Sequence, residues 1–122
     1  MTNPLDKVED VDIEIGKFKY ILIKVNYSPP NSPEVYKFIV RGYISAGFHA
    51  DIYERVAPSI EKTGILDCEC VGGGRIIHDI EKRRIDVFGY SQGYGKAKHS
   101  ITCELLKKKY PNYEINWSDE GY

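Results

Sequence analysis

The sequence predicts a single α/β domain, a mixed sheet of about six strands flanked by two helices. Three observations carry this. Short runs with period-two or continuous hydrophobicity recur along the chain, separated by Gly- and Pro-bearing breaks. Two stretches instead space their apolar residues as one helix face, Ile52/Val56/Ile60 and Ala97/Ile101/Leu105. The two kinds of element come in mixed order, so the pattern is not a regular βαβ array. At 122 residues the chain is long enough for one real core and too short for two.

Taken in order, residues 1–10 read as a loose N-terminal tail. Val11-Asp12-Ile13-Glu14-Ile15 alternates apolar and acidic residues, as a short edge strand does. Gly16-Lys17 is a tight turn into a longer strand, Phe18 to Tyr27. Its centre, Ile21-Leu22-Ile23, is continuously apolar, which places it mid-sheet with both faces covered. Pro29-Pro30-Asn31-Ser32-Pro33 breaks all regular structure before a third strand, Val35 to Tyr43. A helix is expected over 48–63, kinked or broken at Pro58 and stopped at Gly64. Ile65 to Val71 alternates again as a strand, and Gly72-Gly73-Gly74 reads as a loop. Arg75 to Ile80 and Arg84 to Tyr90 form a hairpin through Glu81-Lys82-Arg83. The second helix, Lys96 to Lys109, buries Ala97, Ile101 and Leu105, with Leu106 beside them. Pro111 ends it, and Tyr113, Ile115 and Trp117 alternate in a last strand.

Composition narrows the function. Hydrophobic residues make up 42%, an ordinary value for a globular protein. No apolar run reaches membrane-spanning length, and Met1-Thr2-Asn3-Pro4-Leu5-Asp6 lacks a basic-then-apolar export pattern. A formal charge of −1 gives no general attraction to nucleic acid or to acidic membranes. The clusters Lys82-Arg83-Arg84 and Lys107-Lys108-Lys109 are short, and read as a solvated turn and a helix C-terminus. Three cysteines without an export signal are expected as reduced thiols in the cytoplasm.

The stretch Gly89-Tyr90-Ser91-Gln92-Gly93-Tyr94-Gly95 lies between a strand and a helix, where unpaired backbone N–H groups suit phosphate or another anion. It also satisfies G-x-S-x-G, the nucleophile elbow of serine hydrolases. A serine hydrolase of that kind needs an acid and then a histidine downstream. Only His99 follows Ser91, early in the next helix with no acid between them, so a Ser91 nucleophile is the minor reading. Gly72-Gly73-Gly74-Arg75 lacks the G-K-[ST] of a phosphate loop, yet as a flexible loop it would aim a guanidinium suited to phosphoryl oxygens. An ordinary surface arginine explains it equally well. Cys68-x-Cys70 with His78 and Cys103 has the wrong shape for zinc, because a strand sets the two thiols along a pleat; no metal and no cofactor is expected. His49 stands where a loop meets a helix, and is either a catalytic group or a solvated helix-start histidine. His78 sits near a hairpin tip, and His99 shares a helix stripe with Cys103 and Leu106. Lys19 shares pleat parity with Ile21, Ile23 and Val25, so one face of the central strand begins with a cation.

Several blocks together, in one order and at compatible spacing, resemble the phosphohistidine phosphatase (Janus) family. They are Phe18-Lys19-Tyr20-Ile21-Leu22-Ile23, Val40-Arg41-Gly42-Tyr43, His49-Ala50-Asp51-Ile52-Tyr53, Cys68-Glu69-Cys70 with Gly72-Gly73-Gly74-Arg75-Ile76, Gly89-Tyr90-Ser91 with Tyr94-Gly95, and the closing Gly121-Tyr122. The resemblance implies a small cytoplasmic enzyme, by default a monomer, with a mixed six-stranded sheet and a helix on either side. It implies metal-independent removal of phosphate from phosphohistidine-containing proteins. By position, the family's essential histidine falls on His49, its phosphate-contacting lysine on Lys19, its phosphate loop on Ser91, Gln92 and Gly93, and its supporting arginine on Arg75. A second histidine of the family matches His99, whose role stays open. Gln92 and Gly93 stand where mammalian members carry methionine and alanine; backbone donors survive that change, while substrate preference at the rim is put in question. A non-catalytic phosphate-binding module would share the same cradle.

Overall fold

The computed structural model describes residues 3–119. Its six strands form one sheet in the order β1-β3-β2-β4-β5-β6. These are β1 (Val11–Ile13), β2 (Gly16–Tyr27), β3 (Val35–Tyr43), β4 (Leu66–Asp79), β5 (Arg84–Phe88) and β6 (Glu114–Trp117). Two helices, α1 (His49–Glu61) and α2 (His99–Lys109), complete the domain. The four central strands pair antiparallel, while β1 joins β3 and β6 joins β5 in parallel. Parallel neighbours need a crossover, and α2 supplies it between β5 and β6. Helix α1 likewise links β3 to β4, with β2 inserted between them.

Strand β2 is the middle of the core for the reason its sequence gives. Tyr20, Ile21, Leu22 and Ile23 are all fully buried, and the pleat divides them. Phe18, Tyr20 and Leu22 pack with Cys103 and Leu106 of α2, whereas Ile21, Ile23 and Val25 pack with Ile52 and Val56 of α1. The helices therefore cover opposite faces. Burying Ile21, Leu22 and Ile23 stabilises the fold by roughly 1.5–3 kcal/mol each.

Four expectations need correction. Residues 3–10 are not a loose tail. The Asn3 side chain accepts the Leu5 N–H at 2.9 Å and opens a 3-10 turn over Pro4–Lys7, which drives Leu5 into the α1-side core. Pro58 does not break α1. It lies on the exposed side, so the Glu54 carbonyl that loses its partner faces water, and the Lys62 N–H still bonds Pro58 O at 3.0 Å.

Gly72-Gly73-Gly74 is not a loop but the middle of one continuous strand, β4. Its register with β2 slips once, Leu22 facing Gly72 and Ile23 facing Cys70, so Val71 is the extra residue of a bulge. Finally, α2 begins at His99 rather than Lys96, and its buried stripe is His99, Thr102, Cys103 and Leu106. Ala97 is buried too, but ahead of the helix, and Ile101 and Leu105 are only half-buried.

Candidate functional site

The site lies on the α1 face of the sheet, and Gly73 is its floor. A Cβ built on Gly73 would stand 2.7 Å from His49 Cδ2 and 3.2 Å from Ser91 Cβ. The space that a side chain at this position would fill is shared by the histidine and the serine. The Gly73 backbone also ties down the segment that carries Ser91. Gly73 N–H donates to Gly95 O at 3.0 Å, and Gly73 O accepts the Ala97 N–H at 3.0 Å. Glycine inside this strand thus marks a close approach, not flexibility.

His49 is the first residue of α1. The helix is opened by Phe48, whose backbone N–H donates to Asp51 Oδ2 at 2.9 Å. His49 is 6% exposed as a residue, and its Nε2 lies 2.9 Å from Gly74 O. A carbonyl can only accept, so Nε2 carries the proton and the Nδ1 lone pair is left open. Burial pushes the His49 pKa below its ordinary value, and the positive charges of Lys19 and Arg75 push the same way, against the Gly74 hydrogen bond. A neutral imidazole with one open lone pair is the state in which histidine acts as base or nucleophile.

Lys19 and Arg75 face each other across β2 and β4, one pleat beyond Gly73. Both are half-buried, and Lys19 makes no ion pair among the described residues. Arg75 sits on a strand and not on a mobile loop, so its direction is fixed by the pleat.

The segment 89–95 folds as a tight turn. Ser91 and Gly95 bond each other through their backbones at 3.1 and 2.8 Å, and Ser91 Oγ accepts the Tyr94 N–H at 3.1 Å. Ser91 is buried, with its hydroxyl proton left to donate elsewhere. Gln92 and Gly93 sit exposed at the tip, and their N–H groups have no protein partner among the described residues. This corrects the expected origin of the anion site: α2 starts four residues past Gly95, so the donors come from the turn and not from a helix N-terminus.

The other histidines are held in place. His99 Nε2 donates to Gly89 O at 2.9 Å, so its Nδ1 accepts from Tyr20 OH at 2.6 Å. Thr102 Oγ1 then donates to the Tyr20 oxygen at 3.0 Å. His78 Nδ1 donates to Glu14 O at 2.8 Å, and its Nε2 lies 3.0 Å from Tyr113 OH. Neither ring is available to activate Ser91, so no serine triad forms among the described residues. No three His, Cys, Asp or Glu side chains among those residues come together as a metal site. Burial pushes the thiols of Cys68 and Cys70 up to about 11, which keeps them protonated.

Sequence reasoning missed the roles of Gly73 and Gly74 and the Tyr20–His99–Thr102 network. A triglycine with strand-like residues on both sides was the available signal for the first; the second has none.

Fold and site together define a small single-sheet α/β domain with a neutral, buried histidine set beside two cations over a glycine floor. The chain belongs to the Janus/Ocnus family, whose match runs over residues 5–114. It is 52% identical over 121 residues to the 14 kDa phosphohistidine phosphatase of Sus scrofa, covering 97% of this chain and 95% of that protein. It is 48% identical over 118 residues to the human protein of the same name, covering 94% of each. The sex-regulated protein janus-A of Drosophila pseudoobscura pseudoobscura is 52% identical over 120 residues, covering 97% of this chain and 80% of that one. The Gly121-Tyr122 ending of the resemblance lies outside the described residues.

Proposed function

We infer that the chain is a protein phosphohistidine phosphatase, hydrolysing the N–P bond of phosphohistidine in substrate proteins. Near-full-length identity of about half to two proteins of that name supports the reaction class. The observation that carries the mechanism is the unpartnered Nδ1 of His49, on a ring that shares with Ser91 the space over Gly73.

In this reading the phosphoryl oxygens rest on the N–H groups of Gln92 and Gly93 and on the Ser91 hydroxyl. Lys19 and Arg75 balance their charge. Positioning and electrostatic stabilisation are most of what phosphoryl transfer needs from a protein. His49 then uses Nδ1 in one of two ways. It takes a proton from the water that attacks phosphorus as the bond to the substrate imidazole breaks, or it attacks phosphorus itself, displaces that imidazole, and carries the phosphoryl group until water removes it. Both routes use the same lone pair, and phospho-His49 trapped by an alkaline denaturing quench separates them.

A non-catalytic phosphate-binding module would need the cradle but not an imidazole with an open nitrogen, and the unpartnered Nδ1 of His49 favours catalysis over it. We take a cytoplasmic monomer as its working form. No helix among the described residues is long and apolar enough to cross a membrane.

The test is phosphate release from a phosphohistidine peptide, set against the phosphoserine peptide of the same sequence. Release from the first alone is expected. Tight binding of phosphohistidine with no release would replace the enzyme by the binding module.

A further inference from the structure

Helix α1 ends its cover at His49, and the sheet face beyond it is open. That face continues through Lys19 and Arg75 to Lys17, which is paired in register with Ile77. It is lined by these cations together with Ile44, Ala46 and Phe88, around a cavity of about 330 Å³. Ile44 stands more than half exposed on its rim.

Lys17, Lys19 and Arg75 line the cavity, and no carboxylate does. Neither Lys17 nor Lys19 makes an ion pair or side-chain hydrogen bond among the described residues. Two carboxylates stand close by, outside that lining. Asp86, on the same face of β5, is held by Arg84 at 3.0 Å, and Glu14 accepts the Ile44 N–H at 2.7 Å. Lys19 belongs to the phosphoryl site, so Lys17 is the cation that the proposed reaction does not use. It lies two residues further along the strand, about 6.6 Å away. A peptide residue advances at most about 3.6 Å, so Lys17 is within reach of the substrate chain close to its modified histidine.

We propose that this cavity receives the acidic side chain of a residue flanking the phosphohistidine, with the Lys17 ammonium as its counter-ion. The apolar walls seat the aliphatic part of that side chain, and the cations repel a basic one. The inference rests on the phosphatase reading for the position of the phosphoryl group. Charge at an exposed rim acts chiefly on selection between partners, through attraction of one and repulsion of the other.

The experiment uses peptides carrying a stable phosphohistidine analogue, with Glu, Gln or Lys placed two residues to either side. Their affinities are measured for the wild-type chain and for Lys17→Glu, and turnover of a small phosphoramidate is read in parallel. The wild type should bind Glu better than Gln better than Lys, each step worth roughly three- to fivefold for an exposed pair. Lys17→Glu should invert the order and leave phosphoramidate turnover unchanged. An order that is flat, or the same in both proteins, overturns the proposal. A clean inversion without any phosphoramidate turnover keeps the proposal and overturns the phosphatase reading instead.

Discussion

His49 and His99 are near-twins in their surroundings. Each opens a helix, each is buried, and each donates from Nε2 to a glycine carbonyl at 2.9 Å. Each is pushed below the ordinary histidine value, with burial the largest cause. They even lean on adjacent residues of β4 from opposite faces, since a Cβ on Gly73 would meet His49 at 2.7 Å and one on Gly74 would meet His99 at 2.7 Å. They differ at the second nitrogen. His99 Nδ1 is occupied by Tyr20 OH, whereas His49 Nδ1 has no hydrogen-bond partner among the described residues, and the charges of Lys19 and Arg75 act on its ring. Burial and a depressed pKa therefore do not distinguish a reactive histidine from a structural one here; an open lone pair does.

The contrast can be broken at its reactive end first. His49→Ala should reduce turnover of a phosphohistidine peptide by at least about a thousandfold while the far-ultraviolet circular dichroism stays native. Activity close to wild type would return His49 to the status of its twin. Ser91→Ala should cost roughly ten- to a hundredfold, because the Gln92 and Gly93 N–H groups remain to hold the phosphoryl oxygens. A covalent adduct trapped on Ser91 would make the serine the nucleophile after all.

Smaller effects sharpen the comparison. The kcat/KM of the wild type should rise with pH along an acid limb whose midpoint lies below 6.5, since only neutral His49 has the lone pair and its folded value is depressed. A midpoint above 6.5 would mean that burial, with the cations beside the ring, does not set its state. Tyr20→Phe should act on the other twin, leaving His99 Nδ1 and Thr102 Oγ1 without their partner. We expect about 1–3 kcal/mol of lost stability in urea unfolding, with kcat little changed. A large fall in kcat at unchanged stability would give the His99 network a part in catalysis.

Much of this arrangement can be read from the sequence, and the parts that cannot share a cause. The run at Ile21-Leu22-Ile23 identifies the central strand because hydrophobicity on both pleat faces has a local signature. His49, Lys19 and the Ser91 turn are legible as a set through family resemblance, since only strand pairing brings residues so far apart together. The triglycine misleads because glycine favours loops locally, while its reason for standing in β4 is the approach of side chains from α1, the Ser91 turn and α2. Helix α2 starts late because Lys96 bridges to Gly73, a contact that helical periodicity cannot register. Pro58 is tolerated because the carbonyl it orphans is solvated, and burial of Ile52 and Val56 holds the helix on either side of the gap.

The bridge between Gly73 and the Ser91 segment bears on the order in which the molecule assembles. The hydrogen bond of His49 to Gly74 spans 25 residues and that of Tyr20 to His99 spans 79. The first needs α1 packed on β4 and the second needs α2 packed on β2, so both wait on contacts between elements far apart in the chain. Closing such long loops carries an entropic cost that no local contact offsets, which favours slow, concerted folding. The reactive centre depends on these long-range contacts, and we expect it to form late in refolding. Regain of phosphatase activity should coincide with, and never precede, formation of the sheet.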